Sequence, residues 1–375
     1  MLIGGFEVGR VFGFRIRIDA SWFLVFALVI WTFSQHEFPR QLPGYSTPVY
    51  YTMGVIGGVL FFLSVLLHEL AHSVMARARG IEVEGITLFI FGGVAQTRME
   101  AQRALDEFLL TIVGPLMSVA LAGVFYLVSQ ASGELGWAAP IATVASFLAL
   151  LNFVLAVFNM VPAFPLDGGR IFRSAVWAAT GNLEKATRWA TWGGRLFGYL
   201  LIAFGVLQLF YGYMLAGLWS AFIGWFVSNA ASSSYRQFAV RQILSKVPAA
   251  SIMVRNPVVI GPETTVKELI DRYLIRGGDS AYPVVSNGGV LGLVGVNEVS
   301  RIPEAMRSTT TVGAVMRSAS EVPVVRGTET LDRVVGRLDS DEEHVLVVED
   351  GRFVGVLGLG DIGGWVKRAR ELGLE

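Results

Sequence analysis

The chain has 375 residues, of which 53% are hydrophobic and only 16% charged, with 30 basic and 30 acidic side chains. That is too apolar for an ordinary soluble protein, and the balanced charge gives no footprint for direct nucleic-acid binding. Cysteine is absent, which excludes disulfides, a thiol nucleophile and thiolate metal ligands. Only four histidines occur (His36, His68, His72 and His344), so a metal site with three imidazoles is not expected.

Charged residues are sparse from about residue 20 to 231 and frequent from Arg236 onward. The chain therefore reads as a membrane domain over 1–231, a linker over 232–246, and a polar α/β part. The N-terminal stretch alternates Phe14, Ile16 and Ile18 with Arg15 and Arg17, as in a short strand or interfacial segment. A first span follows at about 20–33, then a polar loop to residue 48. The second span runs over about 49–76 and ends at Arg77 and Arg79. Residues 81–97 alternate and are rich in β-branched and aromatic side chains, with Gly92-Gly93 as the turn, so this short piece reads as strands. Further spans are expected at about 108–130, 138–160, 196–209 and 214–231, with an amphipathic basic piece at 171–195. The third contains Gly114-Pro115, a pair that often serves close helix packing in membranes.

Lys and Arg alternate along the loops. The N-terminal tail and the loops after spans two and four are basic, and the others nearly free of Lys and Arg. Six spans with both termini in the cytoplasm fit this pattern.

The second span contains His68-Glu69-Leu70-Ala71-His72. Histidines four apart share one face of a helix, and two neutral imidazoles there can grip one zinc ion. Glu69 lies between them, placed to take a proton from an attacking water. Ionisable groups at the centre of a bilayer cost at least ~2.5–3.5 kcal/mol each on insertion scales, so three within five residues call for a strong reason, and a metal site is one. A catalytic zinc usually takes three protein ligands. The natural third is a carboxylate in an apolar region. Asp167 fits, after the extended Pro162-Ala163-Phe164-Pro165 and before Gly168-Gly169, a backbone free to turn sharply. Asn159 stands ready to bond backbone or a substrate carbonyl.

His68-Glu69-x-x-His72, Gly114-Pro115 and Asn159-x-x-Pro162-x-x-Pro165-x-Asp167-Gly168 together resemble the site-2 protease family of intramembrane zinc metalloproteases. The resemblance covers about residues 1–231. It implies zinc on His68, His72 and Asp167, with Glu69 as general base and Asn159 holding the substrate or stabilising the oxyanion. It also implies a multi-pass protein of the cell membrane that cleaves a transmembrane segment of a membrane-anchored regulatory protein, such as an anti-sigma factor or a membrane-held transcription regulator. Residues 88–94 resemble the family's re-entrant strand segment near the substrate path, where a strand edge can hold a substrate backbone extended.

The polar part contains a repeat with an offset of 63 residues. Met253 matches Met316, Tyr282-Pro283-Val284-Val285 matches Val345-Leu346-Val347-Val348, and Gly292–Val299 matches Gly355–Ile362. The two units, 247–307 and 308–375, resemble a tandem pair of CBS domains. Such pairs often bind adenine nucleotides, associate as dimers and gate an attached protein. The family's ribose-contacting Thr is replaced here by Gly295 and Gly358, and the acid is Glu298 or Asp361; a nucleotide site, with Asp361 as the best ribose contact, and a purely dimerising module are the two readings. The fold class expected is an α-helical membrane protein of about six spans with a short β segment, followed by an α/β CBS pair. A CBS-gated transporter or channel is the alternative reading, since intramembrane polar groups suit either.

Overall fold

The apolar stretch around the two histidines forms one long helix in a computed structural model that describes residues 6–89, 92–97, 101–134, 139–275, 281–338 and 343–372. Two units divide the chain, Met1–Tyr235 and Arg236–Glu375.

The first unit begins with β1 (Phe6–Val11) and β2 (Phe14–Ile18), followed by α1 (Ala20–Thr32), capped by the Asp19 side chain on the Ser21 N–H. A π turn at Phe33–Glu37 and α2 (Phe38–Gln41) prolong the helical run. Helix α3 (Thr47–Ala78) carries the histidines, and β3 (Val83–Phe89) and β4 (Gly92–Thr97) follow it. Then come α4 (Ala104–Glu134), α5 (Ala139–Asn159), α6 (Asp167–Thr180), α7 (Leu183–Phe210) and α8 (Met214–Leu244).

Among the described residues, five helices are long and apolar enough to cross a membrane: Thr47–Ala78, Ala104–Ser132, Ala139–Asn159, Leu183–Phe210 and Met214–Leu244. The expected first span begins as α1, whose 13 residues reach ~20 Å, and the π turn and α2 carry the helical run past the expected end at residue 33 to Gln41. Two other boundaries also move. The basic residues Lys185, Arg188 and Arg195 lie within α7, which begins at Leu183 under an Asn182 cap. Helix α8 runs on through residues 232–244, so most of the stretch expected to be a linker is helical.

The four strands of the first unit form one sheet in the order β1-β2-β3-β4, with β2 and β3 parallel and the other pairs antiparallel. Its inner face shows the alternation seen in the sequence: Phe14, Ile16, Ile86 and Leu88 pack on Leu70 of α3. Arg77, at the end of α3, places its guanidinium 4.5 Å over the Phe14 ring and donates to the Phe12 carbonyl. The sheet is thus pinned to the helix that bears the histidines. Gly92 and Gly93 are not the hairpin turn: they open β4, paired with Phe89 and Leu88. Residues 90 and 91, between the strands, and Arg98 lie outside the described residues.

The second unit repeats itself as the sequence offset requires. In one half, β6 (Ala281–Ser286) and β7 (Gly289–Gly295) pair antiparallel; in the other, β10 (His344–Glu349) and β11 (Arg352–Gly358) do the same. The first hairpin turns on Asn287-Gly288, with φ of 53° and 78°, and the second on Asp350-Gly351, with φ of 50° and 74°. Both are two-residue loops with left-handed residues at both positions, which Asn-Gly and Asp-Gly accept most easily. Short strands β5 (Val254–Arg255) and β9 (Val324–Arg326) flank the second hairpin, and β8 (Arg317–Ser318) flanks the first. Tyr282, Val284 and Val294 centre one core, and Val345, Val347 and Leu357 the other.

His344 is buried beside Gly358, and burial holds its pKa below the ordinary imidazole value, against the raising effect of Glu343 and Asp361. With the folded value below the unfolded one, its neutral form stabilises the unit above about pH 6.5, and that contribution is lost as the pH falls through the folded value. Calorimetric unfolding of the intact chain between pH 7.5 and 5 is expected to show the transition of the second unit moving down in temperature on acidification. In His344→Gln the slope is expected to be smaller.

Candidate metal centre

His68 and His72 project from the same face of α3, and Asp167, the first residue of α6, meets them. The Asp167 Oδ2 atom lies 3.1 Å from His68 Nε2 and 3.3 Å from His72 Nε2, and the two Nε2 atoms are 3.3 Å apart. Two ligand bonds of ~2.05 Å at a tetrahedral angle separate their donor atoms by ~3.3 Å, so the triangle has the size of three corners of a zinc tetrahedron. The three side chains are 5%, 12% and 13% exposed in the order His68, His72, Asp167, so the site is largely shielded from solvent.

The other ring nitrogens are held by α4. His72 Nδ1 lies 2.7 Å from the Leu110 carbonyl, and His68 Nδ1 lies 2.8 Å from Ser118 Oγ. A carbonyl can only accept, so His72 carries its proton on Nδ1 and offers the Nε2 lone pair. Ser118 can accept in the same way from His68. This is how protein metal sites fix the tautomer and orientation of imidazole ligands.

Leu110, Gly114 and Ser118 are four residues apart on α4 and form one stripe against the imidazoles. A Cβ at Gly114 would collide with His72 Nε2 and Cε1 and with His68 Nε2. Gly114 is therefore clearance for the two rings, beyond the general helix packing read from sequence for the Gly114-Pro115 pair. Glu69 is half-buried, and its side chain makes no hydrogen bond among the described residues. It abuts Gly93 of β4, where a Cβ would overlap its Cγ. Gly93 thus lets the edge strand pass close to the carboxylate.

Asp167 reaches the histidines through the loop 160–166, which contains a cis Phe164-Pro165 bond. Gly168 and Gly169, read from the sequence as a turn, are the first turn of α6. Any side chain there would strike the backbone of residues 160–164. Asn159 ends α5, half-buried, and makes no side-chain hydrogen bond among the described residues. In the second unit, the Asp361 Oδ2 atom accepts from the Gly358 N–H at 2.8 Å, and the Glu298 Oε2 atom accepts from the Gly295 N–H at 2.8 Å. Each acid therefore caps its own helix at the repeat's offset.

With the ligand triangle in place, similarity to known proteins is decisive. The profile of Peptidase family M50 matches residues 57–135 and 131–202, and that of the CBS domain matches residues 249–304 and 312–366. Rip3 of Mycobacterium tuberculosis, named as a zinc metalloprotease, is 33% identical over 358 residues, covering 95% of this chain and 91% of its own. The chain belongs to peptidase family M50, the site-2 protease family, and carries a CBS pair. The M50 relative sll0528 of Synechocystis, also named as a zinc metalloprotease, is 32% identical, covering 94% of this chain and 92% of its own. A solved site-2 protease from Methanocaldococcus jannaschii is 27% identical, with a TM-score of 0.42, over 61% of this chain and 94% of its own.

In this M50 chain, Gly114→Ala is expected to weaken zinc binding ~100-fold or more, the upper range for disturbing the groups that orient metal ligands. Gly123→Ala, on the same helix with open space around it, is expected to bind as the parent does. Competition with a chromophoric chelator on the detergent-purified chain reads both.

Proposed function

We propose that the protein is an intramembrane zinc metalloendopeptidase that cuts a peptide bond in or near a transmembrane segment of a membrane-anchored regulatory protein. The observation that carries this reading is the His68–His72–Asp167 triangle, of zinc-ligand dimensions, with both histidines on a helix long and apolar enough to cross a bilayer. His68, His72 and Asp167 would hold the zinc. When bound, the ion supplies Lewis acidity to a water and to the scissile carbonyl.

The chain's own residues supply the rest. Glu69, one residue beyond His68 and without a competing hydrogen bond among the described residues, accepts the proton of the attacking water and passes it to the leaving amine. Asn159, with its amide unengaged among the described residues, holds the substrate carbonyl or the developing oxyanion. A helical substrate hides its peptide bonds in its own hydrogen bonds, so it has to become extended to be cut. Strand β4 lies at the edge of the sheet, and its Gly93 touches Glu69. An extended substrate segment added to that edge would run past the base, with main-chain hydrogen bonds replacing those lost on unwinding.

In this reading the protein is a multi-pass cell-membrane protein with both termini in the cytoplasm. Its substrate is a single-span protein such as an anti-sigma factor or membrane-held transcription regulator. The CBS pair pairs with that of a second copy and adjusts access to the zinc on binding an adenine nucleotide. One oxygen of Asp361 is taken by the Gly358 N–H, so a ribose hydroxyl would use the other, Oδ1.

Glu69→Gln separates the metal from the chemistry. The variant is expected to keep one zinc per chain and to lose cleavage of a single-span substrate in proteoliposomes by ~10²–10⁴-fold, the usual contribution of a general base. A substrate cut equally by parent and variant would contradict the assignment.

A further inference from the structure

Outside the ligand set, the least hydrated charge among the described residues of the first unit is Glu107. It lies in the first turn of α4 and is 0% exposed. Its Oε1 atom accepts from Nε and Nη2 of Arg173 in α6, and Arg170 Nε lies 3.8 Å from the same oxygen. Its Oε2 atom has no partner among the described residues. Arg173 is itself 9% exposed, and its guanidinium lies 5.1 Å over the ring of Phe164, in the loop that delivers Asp167.

Stability is a poor reason for such a pair. Taking both charges out of water costs more than their attraction often returns, and apolar replacements of similar volume are commonly neutral or stabilising. Its placement points to positioning instead. Glu107 stands one turn before Leu110, the acceptor for His72, on the helix that also bears Gly114 and Ser118. Arg173 stands six residues after Asp167 on α6. One partner belongs to the helix that orients two ligands, and the other to the helix that begins with the third. The relative position of α4 and α6 is therefore what sets the gap between Asp167 and the two imidazoles.

We propose that Glu107 and Arg173 form a positioning pair that docks α6 on α4 and so places the Asp167 carboxylate at ligand distance from His68 and His72. The pair touches neither metal nor substrate. The inference rests on the zinc-site reading above and assigns a role to two residues outside that site. Arg173 does three things at once: it neutralises Glu107, covers Phe164 and fixes the rotation of α6 about its axis. An Arg fork, with its donors in one plane, suits this better than a flexible ammonium.

The test uses the intact chain in detergent, with zinc affinity by chelator competition, the visible spectrum of the cobalt-substituted protein, and thermal unfolding of the metal-free form. Glu107→Gln is expected to weaken zinc binding by about 10–100-fold, the effect typical of groups that orient metal ligands, and to change the cobalt band intensities. The double variant Glu107→Leu/Arg173→Met removes the buried charges together. It is expected to unfold at or above the parent's temperature and still bind zinc weakly, which a purely structural role would not produce. It decides the matter even where Glu107→Gln does not fold. A folded double variant with the parent's zinc affinity and cobalt spectrum would overturn the proposal. Failure of the parent to bind zinc, or full binding by His68→Ala, would instead remove the ligand reading itself.

Discussion

Two hydrogen bonds from α3 to α4 govern the rest of the site. His72 Nδ1 to the Leu110 carbonyl and His68 Nδ1 to Ser118 Oγ turn both Nε2 lone pairs toward Asp167. Without them each imidazole could rotate or take the other tautomer, and the 3.1–3.3 Å triangle would not be held. Gly114 is the steric complement, since only a residue lacking Cβ lets α4 come close enough to make both bonds. In an apolar helix these contacts also lower the cost of placing imidazoles away from water.

The ligands themselves were legible in the sequence because their chemistry is conspicuous. Two histidines four apart with a Glu between are costly inside an uncharged run unless a metal holds them. An isolated Asp after a proline-rich break in an otherwise apolar region stands out for the same reason. The orienting groups left no such mark. A backbone carbonyl at Leu110 and a hydroxyl at Ser118 are ordinary groups whose role depends wholly on which helix lies opposite. Glu107 reads in sequence as the edge of a polar stretch and is in fact fully buried, because α4 starts at Ala104 and brings it against α6.

Element boundaries shifted where periodicity is weak and tertiary contact decides. Gly92-Gly93 carries the composition of a turn, yet both residues pair within β4, and the space beside Glu69 leaves no room for a side chain at Gly93. Gly168-Gly169 likewise looked like a flexible corner and is a helix start pressed on the preceding loop. The second unit was more transparent: the 63-residue offset read from the sequence also relates its two hairpins, whose turns fall on Asn287-Gly288 and Asp350-Gly351. What the repeat could not reveal is that Glu298 and Asp361 each cap their own helix, a local bond that leaves less of either carboxylate for a ligand.

X-ray absorption at the zinc edge of the purified, intact chain tests the central claim most directly. The account requires one zinc with two imidazole shells at ~2.0–2.1 Å and carboxylate and solvent oxygens at ~2.0–2.2 Å. It also requires that the oxygen contribution fall in Asp167→Ala while both imidazoles remain. A spectrum with fewer than two imidazoles, or one unchanged by Asp167→Ala, would contradict it.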